Sequence, residues 1–190
     1  MPRKKTTKEL AAERAALAET AVSRRRTPIA IVVDNVRSLD NVGMIFRLCE
    51  LVRAEHLYLT GYTGYPPLEN DDRPVTIQER HARRINKTAV YALPYQPWSY
   101  AADPVALVRD LRQQGWKVVV LEQTDASISY ADAVYEFPAV LIVGHEREGV
   151  RQELVDLADM IIEIPVFGHG NSHNVATATG IVAYKMLESV

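Results

Sequence analysis

From Ile29 onward, short apolar runs alternate with longer segments of helical period, and this alternation restricts the chain to few folds. The runs are 29–33, 57–59, 89–93, 118–121, 140–143 and 161–164. Several consist almost wholly of Val, Ile and Leu, with no polar face. A strand wet on one side alternates apolar and polar residues, whereas a strand covered on both sides reads as a continuous apolar run. Between the runs lie amphipathic stretches at 42–53, 104–114 and 151–157. The pattern predicts an α/β fold with a mostly parallel sheet flanked by helices. Residues 61–74, with Pro66-Pro67 and Asp71-Asp72, lack any period and read as a loop.

A chain of 190 residues with 47% hydrophobic content has room for one substantial core. The organisation expected is a basic helical N-terminal extension over 1–28 and one domain over 29–190. The single cysteine, Cys49, excludes an internal disulfide and suits a reducing compartment. No apolar stretch approaches the roughly 20 residues that span a bilayer, so a cytoplasmic protein without a membrane partner is expected.

Charge is divided unevenly. Residues 1–28 hold eight Lys or Arg against three Glu, a balance of +5, while the remainder carries fourteen against twenty-one, or −7. Basic residues gather at Arg24, Arg25 and Arg26, and again at Arg80, Arg83, Arg84 and Lys87, where spacings of three and four align them on one helical face. Phosphate contact is the chemistry such clusters suit, which makes both candidate RNA-binding surfaces.

Three short segments stand at or near the ends of apolar runs, each coupling glycine to polar side chains: Asn41-Val42-Gly43-Met44-Ile45-Phe46-Arg47, Gly144-His145-Glu146-Arg147-Glu148-Gly149, and Ile164-Pro165-Val166-Phe167-Gly168-His169-Gly170-Asn171-Ser172-His173-Asn174-Val175. Strand ends of this kind build ligand sites in α/β proteins. Asp40 or Asn41 is the expected N-cap of the first helix, whose inner stripe is Val42, Ile45, Phe46, Cys49 and Val52. Off that stripe, spacing alone pairs Arg47 with Glu50 on the surface. Ser172 is the expected cap of a closing helix with an apolar face at Val175, Ala178, Val182 and Met186.

In this order the three segments resemble the motifs of the SpoU (TrmH-like) RNA ribose 2′-O-methyltransferases of the SPOUT superfamily, over residues 29–187. The resemblance implies a deep C-terminal trefoil knot, a homodimer, S-adenosylmethionine as cofactor, and methyl transfer to a ribose 2′-hydroxyl of structured RNA. It implies Arg47 as the catalytic residue of N-x-G-x-x-x-R, with Asn41, Glu146, Ser172 and Asn174 completing the catalytic set. Because a guanidinium stays protonated, Arg47 is read as a clamp on the nucleotide phosphate and a stabiliser of the developing alkoxide, with Asn41 orienting it. The cofactor pocket implied is built from Leu121, Gly144, Gly149, Ile164, Val166, Gly168, Ser172, Asn174 and Val175. Where the family usually reads S-L-N-V-S, this chain has Ser172-His173-Asn174-Val175-Ala176, losing a hydroxyl and gaining an imidazole that is a candidate source of pH dependence. The absence of room for a separate N-terminal substrate domain, the helical extension and the short C-terminus tip the expectation from ribosomal towards transfer RNA.

Other readings carry less. Gly168-His169-Gly170-Asn171-Ser172-His173 imitates a dinucleotide fingerprint, but its third glycine is missing and only seventeen residues follow. His169 and His173 are spaced as in a zinc helix, yet lack the Glu of that motif and flank Gly170, so no metal is expected. A non-catalytic RNA-binding protein of the same fold is the alternative, opposed by the intact polar set.

Overall fold

The computed structural model describes residues 2–13 and 25–190. Seven strands form one sheet: β1 (Thr27–Asp34), β2 (Ala54–Thr60), β3 (Trp98–Ala101), β4 (Lys117–Leu121), β5 (Ile128–Ser129), β6 (Ala139–Val143) and β7 (Met160–Glu163). Their order is β3-β2-β1-β6-β4-β7-β5, and every pairing is parallel. Helices α1 (Leu39–Leu51), α2 (Val75–Ala89), α3 (Pro104–Gln113), α4 (Gln152–Val155) and α5 (Val175–Leu187) connect or close the strands.

The continuous apolar runs are explained by two cores, one on each face. Ile29, Ile31 and Val33 of β1 point to the same side as Leu57, Leu59, Leu141 and Val143, where Val42, Ile45, Phe46 and Cys49 of α1 and Val182 and Met186 of α5 cover them. Ala30 and Val32 turn the other way with Val118, Val120, Val140 and Ile142, under Val108 and Leu111 of α3 and Leu154 of α4. This is the period of two expected of a pleated strand. Each fully buried Ile or Leu contributes about 1.5–3 kcal/mol, so most of the stability resides in these layers and the loops beyond the strand ends are left for chemistry.

Two glycine motifs have steric reasons. Helix α2 crosses α1 at Gly43, where a Cβ would stand 2.1 Å from Thr88 Oγ1 and 2.4 Å from the Ile85 carbonyl. At the end of β6, a Cβ on Gly144 would stand 2.3 Å from the Gly149 carbonyl oxygen, and Gly149 itself has φ +72. Only glycines allow both approaches without moving backbone.

The apolar run 89–93 is not a strand. Ala89 ends α2, buried against the core, and Val90 leaves the helix with φ +61. The edge position goes instead to Trp98–Ala101, half-buried throughout. The expected caps shift as well: Ser38 caps α1, its Oγ accepting from Asn41 N at 3.3 Å, and Asn174 caps α5, its Oδ1 accepting from Ala176 N at 3.0 Å and Thr177 N at 3.2 Å.

Residues 7–13 are helical, and Arg24 lies outside the described residues. Arg26 donates to the Ala54 carbonyl at 2.9 Å and the Tyr95 carbonyl at 2.7 Å, so it ties the strand entry to β2. Among the described residues, no helix is long and apolar enough to cross a membrane.

Candidate active site

Strands β4, β6 and β7 are neighbours, and their carboxyl ends open on one cleft of about 270 Å3. Leu121 ends β4 and Glu122 follows it, Val143, Gly144, His145, Glu146, Arg147 and Gly149 come from the β6 end, Ile164 follows β7, and Asn171, Ser172, His173, Val175 and Ala178 close it. Small-molecule sites are of order 300–1,000 Å3, and this cleft stands near the lower bound. Its walls mix apolar side chains with carboxylate, amide and hydroxyl groups.

Of the expected cofactor residues, Leu121, Gly144, Gly149, Ile164, Ser172 and Val175 line the cleft, whereas Val166, Gly168 and Asn174 do not. Asn174 works one layer behind. Its Nδ2 donates to Asn41 Oδ1 at 3.0 Å, and Asn41 Nδ2 donates to Glu146 Oε1 at 3.2 Å. Glu146 also receives the backbone N–H groups of Arg37 at 3.1 Å and Ser38 at 3.0 Å. One chain of hydrogen bonds thus joins all three motifs, which are more than 100 residues apart at their extremes. Burial acts to raise the Glu146 carboxyl, but bonds from its own backbone, from Arg37 and Ser38 and from the Asn41 amide together outweigh it, leaving Glu146 below its ordinary 4.5. It therefore stays an acceptor at neutral pH.

Asn41 does not touch Arg47. It is buried between Glu146 and Asn174, while Arg47 lies exposed on α1, outside the cleft and without a hydrogen bond or ion pair to any described residue. The expected surface pair of Arg47 with Glu50 is not formed. Ala176, where the family usually has serine, is only 9% exposed and packs into the core, so the missing hydroxyl falls on an apolar environment. His173 does line the cleft. Cys49 is fully buried, which pushes its thiol far above the ordinary range.

Sequence reasoning missed Glu122. Its Oε2 accepts from Val150 N at 2.7 Å and its Oε1 from Gln123 N at 2.8 Å, so the β4 end holds the return of the second motif. It also missed His145, whose Nδ1 accepts from Arg147 N at 3.2 Å and Glu148 N at 3.0 Å, closing the turn and leaving the ring proton on Nε2. The signal for each was position alone, Glu122 one residue and His145 two residues past the end of a strand.

The basic face of α2 is exposed at Arg80, Arg83, Arg84 and Lys87. Arg84 is engaged, its Nε 3.0 Å and Nη2 2.6 Å from the Asp40 carboxylate, and its guanidinium holds Asp40 below the usual range. Arg80, Arg83 and Lys87 form no ion pair with a described residue.

A parallel α/β sheet with two glycine-bearing loops, 144–149 and 164–175, on one cleft, wired behind it to helix α1 by a carboxylate and two carboxamides, defines a small-molecule-binding α/β protein with its site at the strand ends. Residues 28–184 match the SpoU rRNA Methylase family, and the chain belongs to that family. It is 28% identical over 167 residues to the tRNA (guanosine(18)-2′-O)-methyltransferase of Aquifex aeolicus, covering 86% of this chain and 71% of that one. The TrmH/SpoU tRNA modifying enzyme of A. aeolicus superposes with a TM-score of 0.71 at 25% identity, covering 94% and 84% of the two chains. An AdoMet-bound rRNA methyltransferase from Sinorhizobium meliloti also gives 0.71, at 26% identity, over 85% and 56%.

Proposed function

We propose that this chain transfers a methyl group from S-adenosylmethionine to a ribose 2′-hydroxyl of structured RNA, with transfer RNA as the favoured class over ribosomal RNA. The observation that carries the reading is the Glu146-Asn41-Asn174 chain behind the cleft, which fixes all three family motifs in one arrangement. A guanosine 2′-O-methyltransferase of transfer RNA and an AdoMet-bound methyltransferase among the similar proteins support substrate class and cofactor.

The cleft fits the cofactor by its donor set. Leu121, Val143, Ile164 and Val175 offer apolar walls, and the Gly144–Gly149 approach, which a Cβ would obstruct, brings backbone groups to the surface. Leu121, Gly144, Gly149, Ile164, Ser172 and Val175 would hold it, and Val166 and Gly168, which do not line the cleft here, belong to the loop between Ile164 and Asn171 that would close on it. When bound, the cofactor supplies an electrophilic sulfonium methyl. The protein's task is to position the hydroxyl and stabilise charge on its oxygen. Arg47 is the group proposed for both, clamping the nucleotide phosphate beside the hydroxyl, and with no hydrogen bond or ion pair among the described residues its donors point to solvent-exposed surface. Because Arg47 lies outside this chain's own cleft, the reading includes a homodimer in which residues of both subunits meet at each site. Exposed Met44 and Leu51 on α1 and Tyr184 on α5, two helices that pack together, support such a face.

The path from β7 back to α5, which packs on β1 and β6, is the stretch in which we place the trefoil knot. Residues 1–28 are read as a basic extension and 29–190 as the methyltransferase domain, in the cytoplasm. Arg24, Arg25, Arg80, Arg83 and Lys87 hold RNA phosphates, Arg84 joins them on release from Asp40, and Arg26 serves mainly the fold. The test is a calorimetric titration with S-adenosylmethionine, then transfer of labelled methyl into total transfer RNA and ribosomal RNA. Cofactor binding with label in one pool is the expected result. RNA binding with no cofactor uptake would point instead to a non-catalytic RNA-binding relative.

A further inference from the structure

Loop 61–74, read from sequence as irregular, is braced far more tightly than a connection requires. Arg73 lies 3.5 Å over the Tyr65 ring, is held by Asp71 at 2.5 Å, and reaches His81 Nδ1 at 3.0 Å. Tyr65 stacks on Tyr100 with centroids 4.1 Å apart, and the Tyr100 hydroxyl donates to the Gly61 carbonyl at 2.7 Å. On the other side of the turn, Tyr62 N donates to Asn35 Oδ1 at 3.0 Å, and buried Thr63 donates to the Val33 carbonyl at 3.0 Å. Three of these bonds fall on consecutive residues, Gly61, Tyr62 and Thr63, and the Tyr62 side chain takes no part in them. Tyr62 is 58% exposed.

Among the described residues its one aromatic neighbour is His145, 6.2 Å away at 77°. An edge-to-face contact leaves at least one face of Tyr62 open. His145 lines the cleft, so the exposed ring stands beside the mouth of the site. Arg37, whose backbone N–H holds Glu146, is exposed on the same rim. A rigid loop presenting an aromatic face to solvent costs apolar exposure and returns nothing to the core.

We propose that Tyr62 is the platform on which the target nucleobase stacks while its ribose is presented to the cleft. The proposal rests on the RNA methyl-transfer reading above. A nucleotide in structured RNA has to leave its stack before its 2′-hydroxyl reaches a recessed site, and aromatic side chains are the usual replacement for the lost neighbour. Stacking tolerates every base because each has a π face. Tyr62 therefore holds the extruded nucleotide without choosing its identity, and a fixed loop holds it at little entropic cost.

The experiment uses the full chain, unmodified transfer RNA transcripts and labelled S-adenosylmethionine, with Tyr62→Ala, Tyr62→Phe and Tyr62→Trp. Loss of a stacked base costs about 5- to 150-fold, and that loss is expected in kcat/KM for RNA in Tyr62→Ala. Phe and Trp variants stay within about threefold of the parent, and calorimetric affinity for S-adenosylmethionine is unchanged in all three. Parent-like kcat/KM in Tyr62→Ala overturns the proposal. So does a loss in Tyr62→Phe as large as in Tyr62→Ala, since the ring would then not be the acting group. If the parent transfers no methyl, the methyl-transfer reading fails on its own, and the platform is judged by fluorescence. Quenching of Tyr62→Trp emission by the transcripts, beyond that of the native Trp98 and Trp116, supports stacking, and equal quenching overturns it.

Discussion

Asn174 and Asn41 meet across 3.0 Å, an amide nitrogen of the closing helix cap donating to the side-chain oxygen of a residue 133 positions earlier. With its other end Asn174 caps α5, and Asn41 donates onward to Glu146. Each asparagine uses donor and acceptor at once, so neither can be replaced by a group offering one kind alone without leaving a polar atom unpaired.

Substitution at Asn174 separates stability from chemistry. Asn174→Ala removes the cap, at about 1 kcal/mol, and leaves Asn41 Oδ1 without its donor, at about another 1–2 kcal/mol. Asn174→Ser keeps an acceptor for the helix N-terminus and should recover about 1 kcal/mol in denaturant unfolding. Both lose most methyl transfer, because both break the link to Asn41. Wild-type turnover in Asn174→Ser would show that the link is only a cap.

Arg47→Lys keeps the charge and loses the planar fork. Turnover should fall at least about a hundredfold, the range for removing a donor to a developing oxyanion, with S-adenosylmethionine affinity unchanged because Arg47 is outside the cleft. Steady-state kinetics and calorimetry on the same preparation check both parts.

Glycine substitutions should divide sharply. Gly144→Ala drives a Cβ into the Gly149 carbonyl oxygen at 2.3 Å, and is expected to cost about 1–3 kcal/mol and most of the cofactor affinity. A Cβ on Gly168 meets nothing within 4 Å, so Gly168→Ala should be neutral or stabilise slightly, by up to about 1 kcal/mol. Thermal unfolding with and without S-adenosylmethionine distinguishes the two.

Acid should loosen the site through Glu146. Its folded value lies below the ordinary 4.5, so its contribution is complete above that pH and is lost as pH falls through the folded value. Asp71, held low chiefly by Arg73, adds a loss of the same sign. Unfolding free energy measured from pH 6 down to 3 should fall below about 4.5, and Glu146→Gln should flatten the curve without abolishing it.

The inner strands were legible because burial on both faces leaves a continuous apolar run, as in Ile29–Val33. Edges were not. Trp98–Ala101 pairs on one side only and carries mixed residues, while 89–93 gains its apolar character from the end of α2 packing into the core. Caps were misplaced by two or three residues because Ser38, Asp40 and Asn41 all qualify locally, and the winner is set by where the chain leaves the sheet. The members of the site were readable by their motifs, yet their wiring was not. Nothing near Glu146 in sequence announces that its partners are Arg37, Ser38 and Asn41.

Where the methyl ends up on the RNA decides between ribose and base methylation. RNA labelled by the purified chain and S-adenosylmethionine should be digested with alkali and its products separated. A 2′-O-methyl blocks the neighbouring phosphodiester from cleavage, so label is expected in alkali-stable dinucleotides from transfer RNA. Label released wholly in mononucleotides, which marks a methylated base, would contradict it.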